Sequence, residues 1–132
     1  MTNFNFDREQ ESAFINAGPI YHVNSPENFG IMFRNDDDFK AGMLLMSLCS
    51  TQFRDVCIYA FELMNNHFHC VLGGDEKQVV FFYEEYKTRL KKYCTGVCNI
   101  LDWSKCVCHI KRISSLDNFF TGTSSFSYSS SA

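Results

Sequence analysis

Met64-Asn65-Asn66-His67-Phe68-His69-Cys70-Val71-Leu72 sets an Asn pair and two alternate histidines among apolar residues. Phe68, Cys70 and Leu72 occupy one parity and are apolar, while His67 and His69 share the other. Strand side chains alternate between faces, so the pattern predicts a strand over 67–72 with one packed side. Two imidazoles then point the same way from its other side, where they can converge on one divalent metal ion. Upstream, residues 56–64 form a second run dense in Ile, Tyr and Phe. Asn65-Asn66 between the runs predicts a tight turn, because Asn tolerates left-handed backbone angles. The two runs therefore read as an antiparallel hairpin, stopped by Gly73-Gly74.

Nearer the N-terminus, Ile20-Tyr21-His22-Val23 predicts a short strand, closed by Asn24-Ser25-Pro26. His22 is read as an ordinary strand histidine and given no role. Asn35-Asp36-Asp37-Asp38 suits a helix N-terminus, where carboxylates meet free backbone amides. The helix is expected over 39–53, with a core stripe of Phe39, Met43, Met46 and Cys49 broadened by Leu44, Leu45 and Leu48. A second helix is expected from Asp75-Glu76 to about residue 95. It turns Val79, Phe82, Tyr83, Tyr86, Leu90 and Tyr93 inward and Lys87, Arg89, Lys91 and Lys92 outward, and Gly96 stops it. Residues 105–113 alternate and predict a last strand, with Cys106, Cys108 and Ile110 on the core face opposite His109. Strand, helix, strand, strand, helix, strand is the order of an α+β, ferredoxin-like βαββαβ fold: a four-stranded antiparallel sheet with two helices on one face. Residues 1–18 read as a leader, 19–114 as the domain, and 115–132 as a Ser-rich tail predicted to be disordered.

A chain of 132 residues can bury one sizeable core but not two. No apolar run approaches the ~18–20 residues of a membrane span, and the N-terminus lacks a basic-then-apolar signal. A cytoplasmic protein without membrane association is expected, and its seven cysteines read as reduced thiols or metal ligands. The net charge of −3 hides an asymmetry: residues 1–86 hold five Lys/Arg against thirteen Asp/Glu, and residues 87–132 hold seven against two. Phosphate contacts are local, so Lys87, Arg89, Lys91 and Lys92 are candidate DNA-binding residues. The alternative is a plain solvated helix face. Cys94, Cys98, Cys106, Cys108 and His109 fall within sixteen residues, but zinc ligands favour spacings of two to four, and only the first pair fits. Buried thiols acting as small hydrophobes are the preferred reading, and zinc is the alternative.

Residues 59–72 as a whole run through an apolar strand, Met-x-Asn, His-hydrophobic-His and further apolar residues. This resembles the HUH motif of the single-tyrosine transposases and their REP-associated relatives. The similarity covers about residues 19–116, taking in the first strand and helix, the basic helix, and Asp102-Trp103-Ser104 before the last strand. The resemblance implies that His67 and His69 bind Mg²⁺ or Mn²⁺, with imidazole favouring Mn²⁺, and that the ion polarises a scissile phosphate. It further implies a tyrosine that attacks phosphorus, giving a 5′-phosphotyrosine and a free 3′-OH, and a homodimer acting on single-stranded or hairpin DNA.

In that family the nucleophilic tyrosine lies on a helix after the last strand, and a polar residue one turn later completes the metal site. Residues 114–132 carry no apolar stripe and are rich in poor helix formers. Tyr128 is the only tyrosine there. Tyr93 is the other candidate nucleophile, but its spacing from Tyr86 and Leu90 points to the core. The chain therefore reads as a member truncated at its C-terminus. A frameshift after about Phe119 would account for the tail: codons compatible with Thr121-Gly122-Thr123-Ser124-Ser125-Phe126-Ser127 can read, one nucleotide over, as Arg-Asn-Val-Ile-Val-Phe. Two other functions stay open, a non-catalytic nucleic-acid-binding module and a small zinc-dependent interaction protein.

Overall fold

Four strands carry the aromatic and β-branched runs: β1 (Ile20–Asn24), β2 (Cys57–Leu63), β3 (Phe68–Gly73) and β4 (His109–Ile113). They pair antiparallel in the order β2-β3-β1-β4. Helix α1 (Asp36–Gln52) follows β1, and α2 (Glu76–Val97) follows β3. This is the expected ferredoxin-like α+β architecture, seen in a computed structural model that describes residues 18–97 and 100–113. The leader before residue 18, the Ser-rich tail, the frameshift, Tyr128 and Cys98 lie outside the described residues. Among the described residues no helix is long and apolar enough to cross a membrane.

The strands' alternation sorts side chains into two layers. Tyr21, Val23, Phe68, Cys70 and Leu72 meet both helices in the main core, against Met46 and Cys49 of α1 and Val79, Phe82, Tyr86 and Leu90 of α2. On the other face Ile20, Tyr59 and Val71 form a small apolar cluster, flanked by Ala60 and Ile113. The β2–β3 register shifts between Ile58 and Ala60, so Tyr59 is an extra residue, a β-bulge.

Helix α1 starts earlier than the sequence suggests. Asn35 Oδ1 accepts the Asp38 N–H at 3.0 Å, which puts Asp36, Asp37 and Asp38 inside the first turn. The expected stripe is also rotated, since Leu44 is 60% exposed and Leu48 41%. The cause is Gly42. A Cβ there would lie 2.6 Å from Phe33 and 2.9 Å from Leu63, and Tyr86 Oη donates to the Gly42 carbonyl at 2.9 Å. That close approach fixes Asp38, Gly42, Met46 and Cys49 as the buried line. On α2 the expected residues are buried except Tyr93, whose place is taken by Cys94.

Two further expectations need correction. The Asn65-Asn66 turn exists, but no described residue other than glycine has a positive φ. The turn is shaped by tertiary bonds instead: Asn65 O accepts the N–H groups of Met32 and Phe33 at 2.8 and 3.0 Å. The last strand begins only at His109. Residues Trp103–Lys105 form a 3₁₀ turn capped by Asp102, and Trp103 packs edge-on against Phe29. The carbonyls of Cys106 and Val107 each lie 3.1 Å from Tyr83 Oη, turned toward α2 rather than along a strand ladder.

Candidate metal centre

His67 closes the turn and His69 sits one residue into β3, and their Nε2 atoms approach to 2.9 Å. The neighbours of each ring determine where its proton lies. Asn66 Nδ2 donates to the Glu27 carbonyl at 2.8 Å, so Asn66 Oδ1 is the atom facing His67 Nδ1 at 2.7 Å. That oxygen can only accept, so the His67 proton is on Nδ1 and its Nε2 turns a lone pair toward His69. His69 Nδ1 lies 3.1 Å from His22 Nε2, with the two rings nearly parallel at 11°. When His69 donates from Nδ1 to His22, its Nε2 lone pair joins that of His67. Second-partner bonds of this kind fix tautomer and orientation in metal-binding histidines.

Two lone pairs facing each other at this distance repel unless a proton or cation lies between them. With metal–nitrogen bonds of about 2.0–2.1 Å, adjacent ligands at 90–110° sit about 2.9–3.4 Å apart. The pair fits two neighbouring ligand positions on one ion. Burial draws His69 down to about 3, helped by His67 and His22. Burial and then Lys111 draw His22 down to about 4. Burial lowers His67 too, against the opposing pull of Glu27 at 3.8 Å. Near neutral pH all three rings are uncharged, the form that binds metal. Among the described residues no three His, Cys, Asp or Glu side chains already form a metal-holding group. His22 does not supply the third ligand because it faces Nδ1 of His69, the side away from His67.

The sheet adds residues that the sequence reading missed. Asn24 is opposite His69 in the β1–β3 register, so His22 is its diagonal neighbour. Exposed Lys111 is opposite His22, and Glu62 is opposite His69, all on the same face. Only knowledge of strand order could have assembled them, though Asn66 was visible within Met-x-Asn.

The other candidates lie elsewhere. Lys87, Arg89, Lys91 and Lys92 are on α2, across the sheet from the histidines. Lys87 pairs with Glu84 at 3.5 Å, and Arg89 pairs with Glu85 at 2.9 Å and donates to Gln52 at 2.7 Å. Lys91 and Lys92 are exposed. Tyr93 donates to an Asp38 oxygen, a bond that with burial pushes its hydroxyl up to about 12. Burial works to raise Asp38, but its bonds from Arg34 and Tyr93 outweigh that and hold it low. Tyr93 is therefore a structural residue and not an activated nucleophile. Cys94 and Cys106 are buried in the helix-side core, Cys108 is half-buried, and His109 is exposed opposite Asn24. Burial raises both the Cys106 and Cys108 thiols, the latter to about 11. Among the described residues these groups form no zinc site.

The chain is thus a ferredoxin-like α+β domain with an imidazole pair on the sheet face away from its helices. The same fold is found in two solved structures. The chain is similar to a REP-associated tyrosine transposase bound to a REP hairpin, with a TM-score of 0.58 and 14% identity over 79% of this chain and 60% of that one. It is also similar to a putative transposase from Deinococcus radiodurans R1, with a TM-score of 0.56 and 12% identity over 86% of this chain and 91% of that one. The chain thus spans 60% of the length of the first of these. No protein-family model matches it, and no curated sequence does.

Proposed function

We propose that this chain is a transposase-type domain that binds single-stranded or hairpin DNA and holds Mg²⁺ or Mn²⁺ between His67 and His69. The observation that carries this reading is the 2.9 Å approach of the two Nε2 atoms, with the far nitrogen of each ring bonded to Asn66 or His22. A bound ion supplies positive charge to polarise a phosphate. The chain's own residues orient the imidazoles and keep them neutral. Lys111, exposed beside His22, offers a cation to a backbone phosphate, and Lys87, Arg89, Lys91 and Lys92 offer a second basic surface on the helix layer. Similarity in fold to a transposase bound to a REP hairpin supports hairpin DNA as the partner. In its full form the reading includes a homodimer and strand cleavage by tyrosine, with Tyr128 as the candidate. There the phenolic oxygen bonds to phosphorus as the bond to the 3′-oxygen breaks, leaving a 5′-phosphotyrosine and a free 3′-OH.

A second reading, a binding module without cleavage, is favoured by the described tyrosine hydroxyls on α2. Tyr83 and Tyr86 donate to backbone carbonyls in the core, and Tyr93 donates to Asp38. One experiment separates the two. The protein is incubated with a single-stranded hairpin oligonucleotide and Mn²⁺, then resolved under denaturing conditions. A covalent protein–DNA adduct that disappears in His67→Ala establishes cleavage chemistry. Binding without an adduct establishes the module, and no binding refutes both.

A further inference from the structure

The two edges of the sheet differ in charge. In the order β2-β3-β1-β4, strand β2 closes one side and β4 the other. Strand β2 reads Cys-Ile-Tyr-Ala-Phe-Glu-Leu and carries no cation, whereas β4 reads His-Ile-Lys-Arg-Ile. The register puts Lys111 opposite His22 on the histidine face, and Arg112 opposite Tyr21 on the helix face. The two cations thus straddle one edge, and both side chains are exposed, as is His109. Among the described residues neither Lys111 nor Arg112 enters an ion pair, whereas Lys87 and Arg89 of α2 are held by Glu84 and Glu85. Carboxylates do not offset the edge charge locally. Strand β4 and its neighbour β1 contain no Asp or Glu, in a chain whose net charge is −3. From α2, Glu84 acts on Cys108 just before the strand, but Lys87 stands 3.5 Å from it. Glu62 lies at the other edge of the sheet.

A lysine on an edge strand can serve only to block edge-to-edge aggregation. Here a second cation stands on the opposite face, and the outer side of an edge strand also presents unpaired backbone N–H groups. Lys and Arg side chains together with backbone N–H groups are what bind phosphate oxygens. Neighbouring strands are about 4.8 Å apart, so β4 stands about 10 Å from β3, which carries His69. We infer that the β4 edge binds the phosphate backbone of a single nucleic-acid strand, gripped by Lys111 on one face and Arg112 on the other. A single strand can bend its successive phosphates toward both sides of the edge, whereas the phosphates of a duplex are held on a fixed helical line. The nucleic acid thereby runs beside the imidazole pair and not across α2. The inference rests on the nucleic-acid-binding reading of the domain and requires no metal.

The test is the salt dependence of binding by the full chain, with EDTA present so that no metal contributes. The probe is a fluorescein-labelled DNA hairpin with a single-stranded flank, followed by fluorescence anisotropy from about 50 to 200 mM NaCl. Lys111→Gln and Arg112→Gln should each flatten the slope of log K against log salt by about 0.7, and weaken binding about 5-fold at ~0.1 M salt. The double substitution should flatten it by about 1.4 and cost about 25-fold. Lys111→Arg should bind as wild type does, and Lys91→Gln combined with Lys92→Gln should change the slope less than the β4 pair does. On the same hairpin without its flank, the β4 variants should match wild type. All four substituted side chains are exposed, so thermal melting by circular dichroism should be unchanged. If the β4 variants keep wild-type affinity and slope, or self-associate at unchanged affinity, the edge charges only block aggregation. The inference is then overturned while the nucleic-acid reading stands. An equal loss on the flankless hairpin, or an equal loss in the α2 pair, overturns the single-strand path along β4. If wild type binds neither hairpin, the inference and the nucleic-acid reading both fall.

Discussion

The two faces of the sheet bury polar groups in opposite ways. On the helix side each buried hydroxyl of α2 has a backbone acceptor: Tyr86 reaches Gly42, and Tyr83 reaches Cys106 and Val107. The thiols of Cys49, Cys70, Cys94 and Cys106 fill that core as small apolar groups. On the histidine side, the rings bond to one another and to Asn66, and neither carboxylate oxygen of buried Glu62 has a hydrogen-bond partner. The first arrangement maximises stability, since a satisfied buried group no longer needs water. The second leaves unmet bonding capacity that a ligand can satisfy. The difference separates what holds the fold from what the fold presents.

Substitutions that act on one face and spare the other test that separation. The largest effect is expected from Phe82→Ala, which empties a fully buried site in the helix-side core. It should cost about 3–5 kcal/mol in urea denaturation while leaving the Mn²⁺ affinity of the remaining folded protein unchanged. A matching loss of metal affinity would show that the two layers are coupled. Next comes His22→Ala, which removes the partner of His69 Nδ1. Mn²⁺ affinity should fall about 10–100-fold, and His22→Gln, whose amide oxygen can accept the same proton, should recover part of it. An equal loss in both variants would mean that His22 serves packing alone. The smallest effect is expected from Leu44→Lys, on the solvent side of α1. It should change stability by no more than about 0.5 kcal/mol. A larger cost would show that this side of the helix is covered in solution.

Much of the helix side could be read from the sequence because its signals are local and periodic. Val79, Phe82, Tyr83, Tyr86 and Leu90 repeat at helical spacing, and all five are buried. Leu44 and Leu48 misled because α1 is apolar on several sides, so periodicity alone could not orient it. What orients it is the missing side chain at Gly42, and a lone glycine carries no sign that Phe33 and Leu63 will press against it. On the histidine side, His67 and His69 were legible from parity alone. His22, Lys111 and Glu62 were not, because they come from three other stretches that meet only through strand order and register.

The irregularity at Tyr59 has its consequence at this site. Ile58 packs with the helices, and uninterrupted alternation from there would turn residue 62 toward them as well. The extra residue puts Tyr59 and Ala60 side by side on the histidine face and reverses the odd–even bookkeeping of everything that follows in β2. Phe61 and Leu63 thereby enter the core, and Glu62 comes out beside His69. One inserted residue thus decides whether a carboxylate is trapped in oil or stands next to two imidazoles, and it does so without any change in the chemistry of β2.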